Sequence, residues 1–446
     1  MSRRLVILGA GESGVGAAIL GIQKGYDVFV SDAGTVPERF QAELKIRNIP
    51  FEFGQHTESR ILQADEVMKS PGIPEKAPMV QQIRARGIPV ISEVELAYRY
   101  IGNSKIIGIT GSNGKTTTTA LTYHIIKEGG LEVALVGNIG YSFARQVAEH
   151  PHPWYVAEIS SFQLDDIREF RAHVAILTNI TPDHLDRYAY RFENYINSKF
   201  RIVENQTRDD YFIYCEDDPV TMENIRNYKI LANPLPITMT NQNNKGAFIH
   251  NGMMTVMAGD ERMQMSIYDF ALKGKHNQYN TMAASLAAAT IGIRKEKIRD
   301  AIKSFESLAH RMETVATVRG VEFINDSKAT NVNSTWYALE SMTRPVVLIL
   351  GGVDKGNDYS LISDLIREKV KAIVCMGVDN EKIHDAFEGM VPAITDVRSA
   401  EEAVFTAFRL ASKGDVVLLS PACASFDLFK NYEDRGDQFR QAVREL

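Results

Sequence analysis

Short apolar runs recur along nearly the whole chain, each followed by a longer stretch of mixed polarity. Runs of this length bounded by turn residues predict buried strands, and the stretches between them predict helices, so the pattern is one of βα repeats. Residues 5–8, 28–30, 64–68 and 88–91 supply the first strands, and 93–100 a helix. Strands are expected next at 106–109, 132–136, 154–157, 174–177 and 212–215, with a helix over 117–129. A more irregular, β-leaning region follows, including 248–249 and 254–257, before an alanine-rich helix at 282–289. The last third resumes the rhythm, with strands at 315–318, 321–324, 346–350, 372–376 and 416–419. No low-complexity segment or short-period repeat interrupts it.

Length divides this pattern, since 446 residues correspond to about three domains of ordinary size, each able to bury its own core. The 44% hydrophobic and 24% charged fractions suit a soluble globular chain. A formal net charge of -6, from 50 Lys+Arg against 56 Asp+Glu, argues against broad nucleic-acid binding, which leaves a basic footprint. Cys215, Cys375 and Cys423 are far apart and odd in number, so reduced buried thiols are expected, with neither a disulfide framework nor a cysteine metal site. The first apolar run is too short for a signal sequence, and no run of about eighteen apolar residues occurs, so no membrane span and a cytoplasmic location are expected.

The chemistry gathers where strands end. Residues 108–117 read Gly-Ile-Thr-Gly-Ser-Asn-Gly-Lys-Thr-Thr, between an apolar run and a helix-like segment. Such glycines let backbone N–H groups converge on an anion at a helix start, where Lys115 would reach the outer phosphates and Thr116 would hold Mg²⁺; a chance Gly-Lys-Thr in an ordinary turn is the alternative. Earlier, residues 9–14 give the complete Gly-x-Gly-x-x-Gly spacing after the first strand, and the second strand ends at Asp32. That fits NAD or FAD, a diphosphate on another carrier, or a turn that only packs helix on strand. Residues 70–74, Ser-Pro-Gly-Ile-Pro, form a rigid turn after another strand.

Glu158 ends the strand at 154–157, where an acid beside a phosphate loop can bind Mg²⁺ or its water; a surface glutamate is the alternative. His184 sits among carboxylates and is locally readable as a metal ligand or a structural loop residue, and Lys199 as an ordinary helix lysine. Asn277 and Asn280, three apart, share one face at a helix start and can cap it or touch a nucleotide base. Residues 325–331, Asn-Asp-Ser-Lys-Ala-Thr-Asn, close a strand with charge and hydroxyls in a small space, as a capping turn or a site.

Together these stretches resemble the Mur ligase family from one end to the other. The resemblance lies in the Thr-Gly-Ser-Asn-Gly-Lys-Thr loop, Glu158-Ile-Ser-Ser-Phe-Gln, Asp183-His184-Leu-Asp186-Arg187, His276-Asn277-x-x-Asn280, His310-Arg311 and Asp326-Ser-Lys-Ala-Thr-Asn331. The glycine opening with Ser70-Pro71-Gly72-Ile73-Pro74, and the closing Ser420-Pro-Ala-Cys-Ala-Ser425-Phe-Asp, point to the branch that adds D-glutamate. The fold implied is α/β in three consecutive domains: a Rossmann-like N-terminal domain for a UDP sugar at 1–93, a P-loop ATPase-like central domain for ATP at 94–307, and a Rossmann-like C-terminal domain for the amino acid at 308–446. Its partners would be UDP-N-acetylmuramoyl-L-alanine, D-glutamate and ATP, acting on a monomer without nucleic acid.

By the same resemblance, Ser13, Gly14, Asp32, Ser70, Gly72, Asn138 and His184 would hold the UDP sugar. The family often has Leu-Thr-Gly where this chain has Glu12-Ser13-Gly14. ATP would be held by Gly111, Ser112, Asn113, Gly114, Lys115, Thr116, Thr117, Asn277, Asn280, Arg311, Asp326 and Lys328. Thr330, Lys355, Ser425, Phe426 and Tyr432 would recognise D-glutamate, Tyr432 standing where the family often has phenylalanine. Two Mg²⁺ ions are implied, on Thr116 and Glu158 and on His184 and a carbamylated Lys199. Lys115, His184, Lys199 and Arg311 would carry catalysis, an acyl phosphate being formed and then attacked by the amine. A Mur-family ligase for another amino acid, an NAD(P)-dependent oxidoreductase and a nucleotide switch without chemistry are the alternatives.

Overall fold

The computed structural model describes residues 2–446 except 243, 260, 307, 308 and 355. The chain divides into two compact units, Met1–Phe270 with Tyr279–Ser304, and Ala271–Gln278 with Phe305–Leu446. The expected boundary between residues 307 and 308 lies outside the described residues.

The first unit holds two sheets. β1 (Arg4–Leu8), β2 (Asp27–Asp32), β3 (Phe51–Phe53), β4 (Glu66–Lys69) and β5 (Val90–Ile91) form a parallel sheet in the order β3-β2-β1-β4-β5. Alternate residues of β1 serve its two faces, as a period of two requires: Leu5 and Ile7 join one buried cluster, Val6 and Leu8 another. The cluster with Leu5 continues through Phe143, Tyr155, Phe170 and Phe212, so the first sheet shares a core with the second.

The second sheet contains β6 (Lys105–Thr110), β7 (Val133–Gly137), β8 (Trp154–Glu158), β9 (Val174–Leu177), β10 (Tyr211–Cys215), β11 (Asn233–Thr238), β12 (Gly246–His250), β13 (Met253–Ala258) and β14 (Glu261–Ser266). Their order is β14-β13-β12-β11-β10-β9-β6-β8-β7. Pairing is parallel from β7 to β12 and antiparallel from β12 through β14, so the β-leaning region is a regular extension of the sheet. Polar composition hid β14, and two prolines hid β11.

The alanine-rich helix runs over Lys275–Thr290, so the alanine-rich segment and the two asparagines expected at a helix start lie on one helix. The division between the two units falls inside it.

The second unit is built on β15 (Glu313–Val318), β16 (Val321–Asn325), β17 (Val346–Leu350), β18 (Val370–Met376), β19 (Ile394–Val397) and β20 (Val416–Leu419), ordered β15-β16-β20-β17-β18-β19. Only the β15–β16 pair is antiparallel among these described strands. Both faces are apolar, with Leu348 and Leu418 in one cluster and Val347 and Val417 in another. All three cysteines are free and buried. Among the described residues, no helix is long and apolar enough to cross a membrane.

Candidate functional site

β6 ends at Thr110 and the next helix, Lys115–Glu128, begins after Gly114, leaving residues 111–114 as the turn. Gly114 precedes the helix at φ 81°, in the left-handed region. A Cβ there would meet Asn280 Oδ1 at 2.5 Å, and one on Gly111 would meet Thr178 Oγ1 at 1.9 Å, so neighbouring groups close on both positions. The segment after β9 braces the loop. Ser112 N donates to Asn179 O at 2.8 Å, Asn113 N to Asn179 Oδ1 at 3.0 Å, and Thr178 Oγ1 to Asn113 O at 2.7 Å. Ser112 Oγ donates to Thr181 O at 2.8 Å. Lys115 folds its ammonium over the loop, donating to Gly111 O and Ser112 O at 2.7 and 2.8 Å. Thr116 is buried in the first helical turn and Thr117 half-buried. Asn280 Oδ1 accepts a hydrogen bond from Thr118 Oγ1 at 3.1 Å. A braced glycine turn, a helix N-terminus and a lysine are the groups that binding a polyanion requires.

Glu158 lies beside this loop because β8 pairs with β6, Glu158 opposite Ile109. It is 1% exposed; Oε1 accepts from Asn138 Nδ2 at 2.8 Å, whereas Oε2 is buried with no hydrogen-bond partner among the described residues. A buried carboxylate oxygen without a donor is costly unless a cation meets it. Lys199 is also 1% exposed, with Nζ 3.4 Å from Thr110 Oγ1 and 4.9 Å from the Tyr195 ring centroid. Burial, reinforced by the Lys115 charge, holds the Lys199 amine well below the ordinary ammonium range, against the opposing pull of Asp183, Asp165 and Glu158. His184 has φ 52°; its Nε2 is 3.6 Å from Asp183 Oδ2, and its ring stands edge-on to Phe162 at 5.2 Å.

In the first sheet, Asp32 reaches the glycine turn, its Oδ2 accepting from Ala10 N at 2.7 Å while its Oδ1 accepts from Gly34 N at 2.8 Å. Gly14 is obligatory, since a Cβ would lie 1.9 Å from Gly9 O, while the missing Cβ of Gly11 faces open space. Ser13 is half-buried and Gly72 exposed. Ser70 Oγ is buried without a partner among the described residues. Arg187 ties the Ser70–Pro74 turn to the His184 segment: Nη2 donates to Pro71 O and Ile73 O at 3.2 Å each, and its guanidinium lies 4.2 Å from the Phe162 centroid. Asn138, exposed, bonds to Glu158 through both its backbone N–H and its amide.

The second unit gathers its polar groups past the ends of β16 and β20. Burial pushes the Asp326 carboxyl up to about 7, opposed by the Ser420 hydrogen bond and the Arg311 charge. Its Oδ2 accepts from Ser420 Oγ at 2.9 Å and its Oδ1 from Met312 N at 3.3 Å. Lys328 Nζ lies 3.9 Å from the Tyr432 centroid, a cation–π contact that a phenylalanine ring would also provide. Thr330 is half-buried, Ser425 buried and Phe426 71% exposed; Lys355 lies outside the described residues. Asn277 donates to Lys273 O at 2.8 Å within the second unit, so the two asparagines expected on one helix face are assigned to different units.

Sequence reasoning missed Asn179, Tyr195 and Arg435. Asn179 had a signal, two residues past the end of an apolar strand. Arg435 had none, being one of several charges on the helix Tyr432–Arg444, yet it is fully buried and donates to Ser327 Oγ, Ser327 O and Cys423 O at 3.0, 2.8 and 3.2 Å.

Comparisons with known proteins bear on all these regions. Residues 3–92 match the Mur ligase MurD-like N-terminal domain, 109–288 the Mur ligase middle domain, and 310–423 the Mur ligase glutamate ligase domain. The chain is 53% identical over 446 residues to UDP-N-acetylmuramoylalanine–D-glutamate ligase of Christiangramia forsetii, covering 100% of both chains. It is 52% identical over 445 residues to the enzyme of that name from Bacteroides fragilis, again covering 100% of both. Among solved structures it resembles UDP-N-acetylmuramate-alanine ligase MurC from Thermotoga maritima, with a TM-score of 0.63 at 16% identity over 99% of each chain, a likeness of fold.

Proposed function

The chain belongs to the Mur ligase family, and from that premise we infer that it joins D-glutamate to UDP-N-acetylmuramoyl-L-alanine, using ATP, in peptidoglycan precursor synthesis. One observation carries this reading: end-to-end likeness, at 52–53% identity, to enzymes named for that reaction. An oxidoreductase would leave the phosphate loop without a role, and the match over residues 3–92 speaks against it.

A carboxylate oxygen leaves poorly, so the acid must be activated before an amine can displace it. In the proposed sequence the terminal carboxylate of the UDP sugar attacks the γ-phosphorus of ATP, giving an acyl phosphate and ADP. The D-glutamate nitrogen then adds to the acyl carbon, and the tetrahedral intermediate expels inorganic phosphate as the amide forms. Lys115 and Arg311 screen the transferring phosphoryl group, and the loop N–H groups orient it. Gly111 to Thr117 hold the phosphates; Asn277, Asn280, Asp326 and Lys328 hold the rest of the nucleotide. Ser13, Gly14, Asp32, Ser70, Gly72, Asn138 and His184 position the UDP sugar, and Thr330, Lys355, Ser425, Phe426 and Tyr432 the amino acid. Three domains, at 1–93, 94–307 and 308–446, divide these tasks in a monomeric cytoplasmic enzyme.

The residues present suit Mg²⁺: the unpartnered Glu158 Oε2 is a hard oxygen donor beside the loop, with Thr116 and His184 as further ligands. Bound there, two such ions would supply charge neutralisation for phosphoryl transfer. Lys199 would join them as a carbamate. Burial and the Lys115 charge hold its amine well below the ordinary ammonium range, which favours the unprotonated form that adds to CO₂, releasing one proton and gaining anionic oxygens.

The test is phosphate release with ATP, Mg²⁺, UDP-N-acetylmuramoyl-L-alanine and single amino acids. Release that requires D-glutamate is expected; a requirement for another amino acid would favour a sister ligase, and indifference to all would refute ligation. Oxygen-18 placed in the substrate carboxylate is expected in the released phosphate. For Lys199, ¹³C-bicarbonate should give a carbamate resonance that is absent in Lys199→Arg.

A further inference from the structure

We propose that Arg145 is a positioning residue for the diphosphate of the UDP sugar, because it neutralises Glu12, an acid that this chain sets at the mouth of its own anion-binding turn. The inference rests on the reading of the glycine turn as a diphosphate grip, and asks how that grip tolerates a carboxylate.

Glu12 is the first residue of the helix Glu12–Gln23, directly after Gly11, whose open side is where a ligand would approach. The first N–H groups of a helix lack carbonyl partners within it and attract anions. Glu12 suits the helix dipole, but its charge competes with any diphosphate drawn to the same place. Arg145 answers that conflict from a different element, the helix Phe143–Glu149, donating from Nε to Glu12 Oε1 at 2.9 Å.

The guanidinium is held in place from behind. Its Nη1 and Nη2 form a two-pronged contact with Glu43, at 2.6 and 3.0 Å, leaving Nε for Glu12. Arg47 reaches Glu43 at 3.5 Å and also pairs with Glu149, closing the network. The Arg145 side chain is 15% exposed and that of Glu12 41%, so the arginine is the fixed member and the acid the one facing solvent. The two helices approach closely at Gly16, where a Cβ would lie 2.0 Å from Ser142 Oγ and 3.1 Å from Arg145 Cβ. That packing aims Arg145 at the turn.

The experiment is steady-state kinetics with UDP-N-acetylmuramoyl-L-alanine varied at saturating ATP and D-glutamate, and UDP as a competitor. Arg145→Ala should raise KM for the UDP sugar about tenfold with kcat nearly unchanged, the signature of lost binding that is equal in ground and transition states. Added salt should shrink the defect by screening Glu12. The double variant Arg145→Ala/Glu12→Gln should return to near wild-type KM, a rescue that a merely structural arginine would not give. Should Arg145→Ala fail to fold, Arg145→Met must raise KM and Arg145→Met/Glu12→Gln must relieve it. An unchanged KM in the charge-removing variant, or a raised KM that the double variant does not relieve, overturns the role of Arg145. Wild-type turnover that UDP fails to inhibit competitively overturns instead the assignment of the turn to the UDP sugar.

Discussion

Lys115 and Glu93 show how one side chain's surroundings set its behaviour. The Lys115 ammonium rests on two loop carbonyls, poised where phosphates would replace them. Lys115→Ala should therefore leave a folded protein that has lost most turnover, by ~3–4 kcal/mol of transition-state stabilisation, measured as kcat/KM beside a normal melting curve. Near-normal activity would refute its role. Glu93 is fully buried, with Oε1 accepting from Ser142 Oγ at 2.6 Å and Ala144 N at 2.7 Å and Oε2 without a partner among the described residues. Burial pushes its carboxyl up to about 7. A raised carboxyl favours the fold while protonated, an advantage complete below the unfolded value near 4.5 and lost as pH rises through about 7. Glu93→Gln, which cannot ionise, should gain stability relative to the native chain across that window, by about 2–3 kcal/mol. Urea unfolding of both proteins at pH 5 and 8 measures it; a constant difference would show that Glu93 does not titrate there.

At the scale of elements, each glycine turn is shaped by its neighbours more than by its own sequence. Gly14 and Gly111 are closed in by Gly9 O and Thr178 Oγ1, the first contact local and the second made by the residue that follows β9, far along the chain. Gly14→Ala forces helix and turn apart and should cost about 3 kcal/mol or more, seen as a lowered denaturation midpoint. Gly11→Ala, facing open space, should leave the midpoint nearly unchanged. The pattern of apolar runs made most strands legible, because buried parallel strands are nearly continuous apolar segments. It failed at β11 and β14, where sheet pairing fixes a conformation that local periodicity does not announce.

At the scale of the molecule, the cores decide which parts can stand alone. Residues of the third sheet form clusters drawn from Val321 onward, so a fragment spanning 309–446 should unfold cooperatively when expressed by itself. Residues 1–92 share one cluster with Ile106, Tyr155 and Phe212, and the isolated first segment should lack a cooperative thermal transition by circular dichroism. A sharp transition in that segment would contradict the shared core. The sequence alone determined the α/β rhythm, the phosphate- or acid-bearing strand ends and the family, because these reside in contiguous residues whose backbone conformation and chemistry are local. Only the tertiary structure decided that Glu158 carries an orphaned buried oxygen, that Lys199 is stripped of water beside Lys115, and that Arg145 meets Glu12. Each of those depends on desolvation and charge proximity among residues far apart in the chain, which no spacing along it encodes.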